Sequence, residues 1–187
     1  MNTTEALSLE IKARELATSL LFETETRLDH SKCVVDQTRL GVNLLVEPWK
    51  SVIIPAAWLH DIGYNKTVGI TKFHPLDGAR YLQAKGWSME ICRLVAWHTN
   101  AEVEAQLRDL DDLLTNEFEM PPSEPWVLLA WADLTSSPKG EKCSPQERLD
   151  EILERYRPES VVHRAIIQAY DYLIDIATDY QNRVFGI

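Results

Sequence analysis

The stretch Val52-Ile53-Ile54-Pro55-Ala56-Ala57-Trp58-Leu59-His60-Asp61-Ile62-Gly63 decides how this chain is read. An unbroken apolar run delivers a histidine and an aspartate side by side, and the turn residue Gly63 follows. A carboxylate at the end of a buried run is costly unless it is paired or bound to a metal. A lone histidine on such a run is more often a satisfied core residue than a ligand. The rest of the chain shifts that balance. The apolar run Ile91–Trp97 ends in His98, and the run Trp126–Ala132 leads into Asp133. His30 and His74 complete the pattern H…HD…H…H…D.

Imidazole and carboxylate are the donors that hold Zn, Fe, Mn and similar divalent ions. His30, His60, Asp61, His74, His98 and Asp133 are too many for one tetrahedral site. They suit two metals that share a carboxylate. Metal pairs about 3.5–4 Å apart are a common device for cleaving phosphoesters.

With these residues the chain resembles the HD-domain superfamily of metal-dependent phosphohydrolases. Arg27-Leu28-Asp29-His30-Ser31 is similar to the first-histidine helix, and Ala56–Gly63 to the doublet helix. His74-Pro75-Leu76-Asp77-Gly78-Ala79 and Val95-Ala96-Trp97-His98 resemble the extra histidine segments of dinuclear members. The resemblance covers roughly residues 27–133. It implies that His30, His60, Asp61 and Asp133 hold one ion, and that Asp61 bridges to a second held also by His74 and His98. The implied cofactors are two divalent ions from among Fe, Mn, Zn, Co and Mg. Gly63-Tyr64 is followed by Asn65, so the Gly-Tyr-Pro signature of the cyclic-dinucleotide branch is absent.

The implied activity is hydrolysis of a small phosphorylated molecule, with a nucleotide as first choice, by metal-bound hydroxide. Asp61 would be central to it. Lys66 lies shortly after the doublet, where several members of the superfamily place a substrate-binding lysine, though here Tyr64-Asn65 displace it. Arg27, about one helical turn before His30, is the other candidate phosphate contact. The alternative is an oxygenase. Some members with this ligand set use a mixed-valent di-iron centre and dioxygen to cleave carbon–carbon or carbon–phosphorus bonds. A non-catalytic regulatory module is a third reading, and its usual mark, loss of ligands, is not seen. H-E-x-x-H and G-x-S-x-G are absent, which removes zinc peptidase and serine hydrolase readings.

Composition sets the remaining bounds. The chain has 187 residues, 45% hydrophobic and 26% charged, with net charge −10. That suits one folded domain over residues 1–187. The motif core lies at about 27–135 and a C-terminal helical extension at about 145–180. The acidic balance argues against a nucleic-acid polymer as partner, which needs a Lys/Arg footprint. It leaves room for a small phosphoester, because bound metal supplies positive charge locally. No apolar run approaches the ~20 residues that span a bilayer. The amino-terminal residues lack a secretory pattern. The odd number of cysteines reads as reduced thiols in a cytoplasmic protein.

Spacing predicts an all-α bundle with the site between facing helices, and the resemblance implies that this bundle is of the HD type. Helices are expected over about 6–22 and 27–46, and a third from about Pro48 to Asp61, kinked or shortened by Pro55. Others are expected from His74 to about Lys85, from Ser88 to His98, and from a Ser123 cap through Asp133. Ser144-Pro145-Gln146-Glu147 reads as a capping box. The last helices should run to about Tyr156 and over about 159–179. The stretch 100–122 predicts one or two short helices. His163 falls outside the motif and reads as structural, and Trp58, Trp97 and Trp131 as core.

Overall fold

The computed structural model describes residues 3–187. Apart from one antiparallel bridge between Ser136 and Lys142, regular structure among them is helical. The order is α1 (Thr3–Leu21), α2 (Glu25–Gly41), α3 (Trp49–Leu59), α4 (His74–Ala84) and α5 (Met89–Trp97), then α6 (Ala101–Gln106), α7 (Asp111–Glu117), α8 (Ser123–Leu134), α9 (Pro145–Arg155) and α10 (Val161–Phe185). Short 3-10 turns occupy Val42–Leu44 and Ile62–Tyr64. The chain is therefore all-α. No helix among the described residues is long and apolar enough to cross a membrane.

The apolar run Val52–Leu59 is the centre of the fold. Every residue from Val52 to Leu59 is buried, as expected of a helix that is apolar on all sides. α1, α2, α5 and α8 pack around α3. Pro55 lies inside α3, and the helix neither starts later nor stops there. Proline removes one backbone hydrogen bond, and packing from several helices holds the segment helical. Farther out, α4 pairs with α5, and α10 lies across α8 and α9.

Several boundaries differ from the sequence expectation for local reasons. α2 stops at Gly41 rather than near Val46 and tightens into the 3-10 turn. Glycine is a weak helix former, and Pro48 disfavours helical continuation just before it. Ser123 is the first residue of α8 rather than its cap. Pro125 has no N–H to offer, and the Trp126 N–H bonds the Pro122 carbonyl instead. Ser144 and Glu147 do form the reciprocal capping box. α10 runs on to Phe185 and closes at Gly186, whose φ is 69°.

Gly63 serves close approach more than turning. A Cβ there would stand 2.0 Å from the His74 carbonyl oxygen. The turn after α3 therefore lies flat on the first residue of α4, which carries a candidate ligand. Gly86 is the opposite case, with φ 78° and open space around it. Gly63→Ala should cost about 3 kcal/mol or more, because backbone must move. Gly86→Ala should cost about 1–2 kcal/mol, from the left-handed backbone alone. Denaturant unfolding of the two variants checks the order; a smaller loss at Gly63 would contradict the close approach.

Candidate metal centre

Most of the candidate ligands stand at helix ends. His60 directly follows α3 and His98 directly follows α5, Asp133 lies in the last turn of α8, and His74 opens α4. His30 projects from within α2. Carboxyl ends of three helices thus converge, and their partial negative charge favours a cation. Consecutive residues in a continuing helix would point about 100° apart. Here α3 ends at Leu59, and Asp61 adopts φ −98°, ψ 3° before the 3-10 turn. This break lets His60 and Asp61 face one site, with His60 Nε2 3.6 Å from Asp61 Oδ1.

The residues form two trios. His30, His60 and Asp133 offer ligand atoms within 4.8 Å of one another, as do Asp61, His74 and His98. Asp61 stands between the groups. Its Oδ1 is 3.4 Å from His74 Nε2, and its Oδ2 is 4.0 Å from His30 Nε2. His30 Nε2 lies 3.0 Å from Asp133 Oδ1, and the His74 and His98 Nε2 atoms are 3.0 Å apart. The six residues named from sequence are thus gathered in one place.

The imidazoles are oriented from behind. His60 Nδ1 donates to the Ala57 carbonyl at 2.8 Å, and His98 Nδ1 to the Val95 carbonyl at 2.7 Å. His30 Nδ1 makes a longer contact, 3.3 Å, to the Ser137 carbonyl. A carbonyl can only accept, so these nitrogens carry the hydrogen. In the neutral ring Nε2 then presents a lone pair to the site. The Nε2 atoms of His30 and His60 are buried without a hydrogen-bond partner. An unsatisfied buried polar atom costs about 1–3 kcal/mol. A ligating histidine commonly shows this arrangement, with its second nitrogen fixed by a carbonyl.

Electrostatics keeps the donors ready. Burial alone would raise the Asp61 carboxyl, but His60, Arg27, His74 and His30 hold it well below the usual carboxylate range. Burial opposes ionisation of Asp133 too, and His30, His60 and Arg148 overcome it. Burial and the neighbouring His98 push His74 well below the ordinary imidazole value. Burial, with His60 beside it, lowers His98. Carboxylates without their protons and imidazoles without charge are the forms that bind metal.

Of the two proposed phosphate contacts, only Arg27 reaches the centre. Its Nη1 donates to Asp61 Oδ2 at 2.9 Å, and its guanidinium lies 3.8 Å from the Tyr64 ring centroid. Lys66 is exposed in the following turn and does not line the cleft. Tyr64, three residues after Asp61, occupies the wall instead. Its ring stacks on His74 at 3.9 Å. His163 belongs to neither trio and does not line the cleft; its Nδ1 donates to the Tyr156 carbonyl. Trp58, Trp97 and Trp131 are buried in the core and absent from the cleft lining.

The sequence reading missed three contributors. Thr99 holds φ 50°, unusual for a β-branched residue, and its hydroxyl donates to Asp133 Oδ2. Arg148, on α9, is 5% exposed and sits 3.8 Å from Asp133 Oδ1. Tyr64 is the third. Only its three-residue offset from Asp61 marked it, and nothing local marked the others. α9 and α10 wall a cleft over the centre that encloses about 530 Å³, its open mouth included.

No family model, curated protein or solved structure matches this chain. The site therefore rests on its own geometry. Nitrogen-15 NMR of metal-free protein should find His60 and His98 as Nδ1–H tautomers. Nε2–H tautomers at these positions would contradict the orientation described.

Proposed function

We propose that this chain is a metal-dependent phosphohydrolase of the HD type, using two divalent ions to cleave a small phosphorylated molecule. One observation carries the reading: buried His30 and His60 turn their Nε2 atoms toward two carboxylates, Asp133 and Asp61, and Asp61 also faces His74 and His98. The residues fit a pair of ions in donor chemistry and in their division into two trios. The resemblance of H…HD…H…H…D to dinuclear members supports the same conclusion.

Ions at this set would activate a water and polarise a phosphoryl oxygen. The protein's own groups would do the rest. Arg27 has five N–H donors in a planar fork, and Asp61 takes one of them. The others are available to phosphoryl oxygens, where bidentate contacts are strong. Tyr64 holds that guanidinium against its ring and His74 against the other face. Thr99 fixes one Asp133 oxygen and leaves the second toward His30. α9 and α10 wall the cleft, and burial of its groups strengthens each of these interactions.

The test is a panel of phosphomonoesters and phosphodiesters offered to anaerobically purified protein with Mn, Co, Zn or Fe. Phosphate release without dioxygen, carrying ¹⁸O from solvent, is expected. Strict need for iron and dioxygen, with label arriving from ¹⁸O₂, would transfer the site to the oxygenase reading. Asp61→Ala should lower turnover at least about 10³-fold, in the range for removal of central catalytic groups. His163→Ala should keep it within about twofold of the unmodified chain, in line with a residue outside the site. Equal losses in two folded variants would overturn the assignment.

A further inference from the structure

The cleft is lined by more than the ligand set, and its chemistry is uneven. Three arginines face it, Arg27, Arg148 and Arg155, beside the carboxylates Asp61, Glu104 and Asp133. Arg148 and Arg155 lie two turns apart on α9 and therefore share a helix face. Both are tied to one carboxylate. Arg148 Nη1 lies 2.5 Å from Glu151 Oε2, and Arg155 Nε lies 3.2 Å from Glu151 Oε1. Arg148 also faces Asp133, so this wall alternates guanidinium and carboxylate groups. Arg148 Nε is buried and has no partner. A buried donor left unmade is costly.

Beside this charged face, Ile152, Val162 and Ile166 supply apolar wall. The aromatic rings of the cleft are already engaged. Arg27 and His74 each lie under 4 Å from the Tyr64 ring centroid, too close together to share a face. Both faces of Tyr64 are therefore covered. Arg155 lies over the ring of Tyr156 at 5.0 Å. Tyr64 therefore offers an entering nucleobase no open face of the kind that stacks bases.

We propose that the cleft is a binding site for a small aliphatic phosphate ester, gripped at its oxyanion by Arg148 and Arg155 and packed along Ile152, Val162 and Ile166, rather than for a nucleotide. This rests on the phosphohydrolase reading and narrows its substrate class. It also gives the C-terminal helices a role in specificity. Arg148 reaches the centre through Asp133, whereas Arg155 pairs with Glu151 and with none of the candidate metal ligands.

The test is isothermal titration of the full chain in Zn²⁺ with methyl phosphate, propyl phosphate and adenosine monophosphate, with turnover followed separately as phosphate release. Propyl phosphate should bind about tenfold tighter than methyl phosphate, from two more buried methylenes. It should also bind at least about tenfold tighter than adenosine monophosphate. Arg155→Gln, at a side chain 34% exposed and safe for folding, should weaken propyl phosphate about tenfold, as loss of a charged hydrogen bond does. Arg148→Lys keeps the charge but loses the fork, and should weaken it also. Adenosine monophosphate binding as tightly as propyl phosphate, or an Arg155→Gln affinity equal to the unmodified one, would overturn the proposal. So would failure of every ester to bind. Tight, Arg155-dependent binding of propyl phosphate without its cleavage by any ion would leave the ligand class standing and overturn the hydrolase reading.

Discussion

The structure depends on how buried imidazoles are held. His60 and His98 each end an apolar helix and donate Nδ1–H to a carbonyl three residues back. That bond turns the ring so that Nε2 points away from its own helix. Several imidazole rings meet there beside Asp61 and Asp133. The 3.0 Å approach of His74 Nε2 to His98 Nε2, and the orphaned Nε2 atoms of His30 and His60, are consequences. Each unsatisfied atom would cost about 1–3 kcal/mol. A folded chain tolerates that cost where another species completes the site, as in metal and catalytic centres.

The constraint reaches outward through packing. For Asp61 to join His60, α3 must end one residue before the doublet. For the following turn to lie on α4, residue 63 must lack a side chain. For Asp133 to present one oxygen to His30, Thr99 must occupy the other, and its backbone takes an uncommon conformation to do so. Strain of this kind persists where surrounding structure enforces it and clusters at functional sites. Asp77 makes a similar contribution nearby. Its buried carboxylate accepts from the backbone of Ile70 and Thr71, and so ties the connecting loop to α4 just after His74.

Much of this was legible in the sequence because its signals were local. The apolar runs ending in His60, His98 and Asp133 marked both the helices and the ligands, and those ligands do converge. Ser144 and Glu147 announced their cap. What was hidden was relational. Lys66 looked apt by position, yet the chain turns after Tyr64 and carries the lysine outward. Arg148 sits on an amphipathic helix as an ordinary surface arginine would, and only the packing of α9 against α8 places it by Asp133. The helices at 145–155 and 161–185 read as an extension of the motif core. In space they form a wall of its cleft, because α10 lies back across α8 and reaches α6.

The central claim is that two ions complete this set of donors, one for each trio, with Asp61 between them. Elemental analysis of anaerobically prepared protein, loaded to saturation with Mn or Fe and freed of excess ion, tests it most directly. The account predicts a stoichiometry approaching two ions per chain. Saturation at one ion per chain, or the absence of any retained metal, would contradict it.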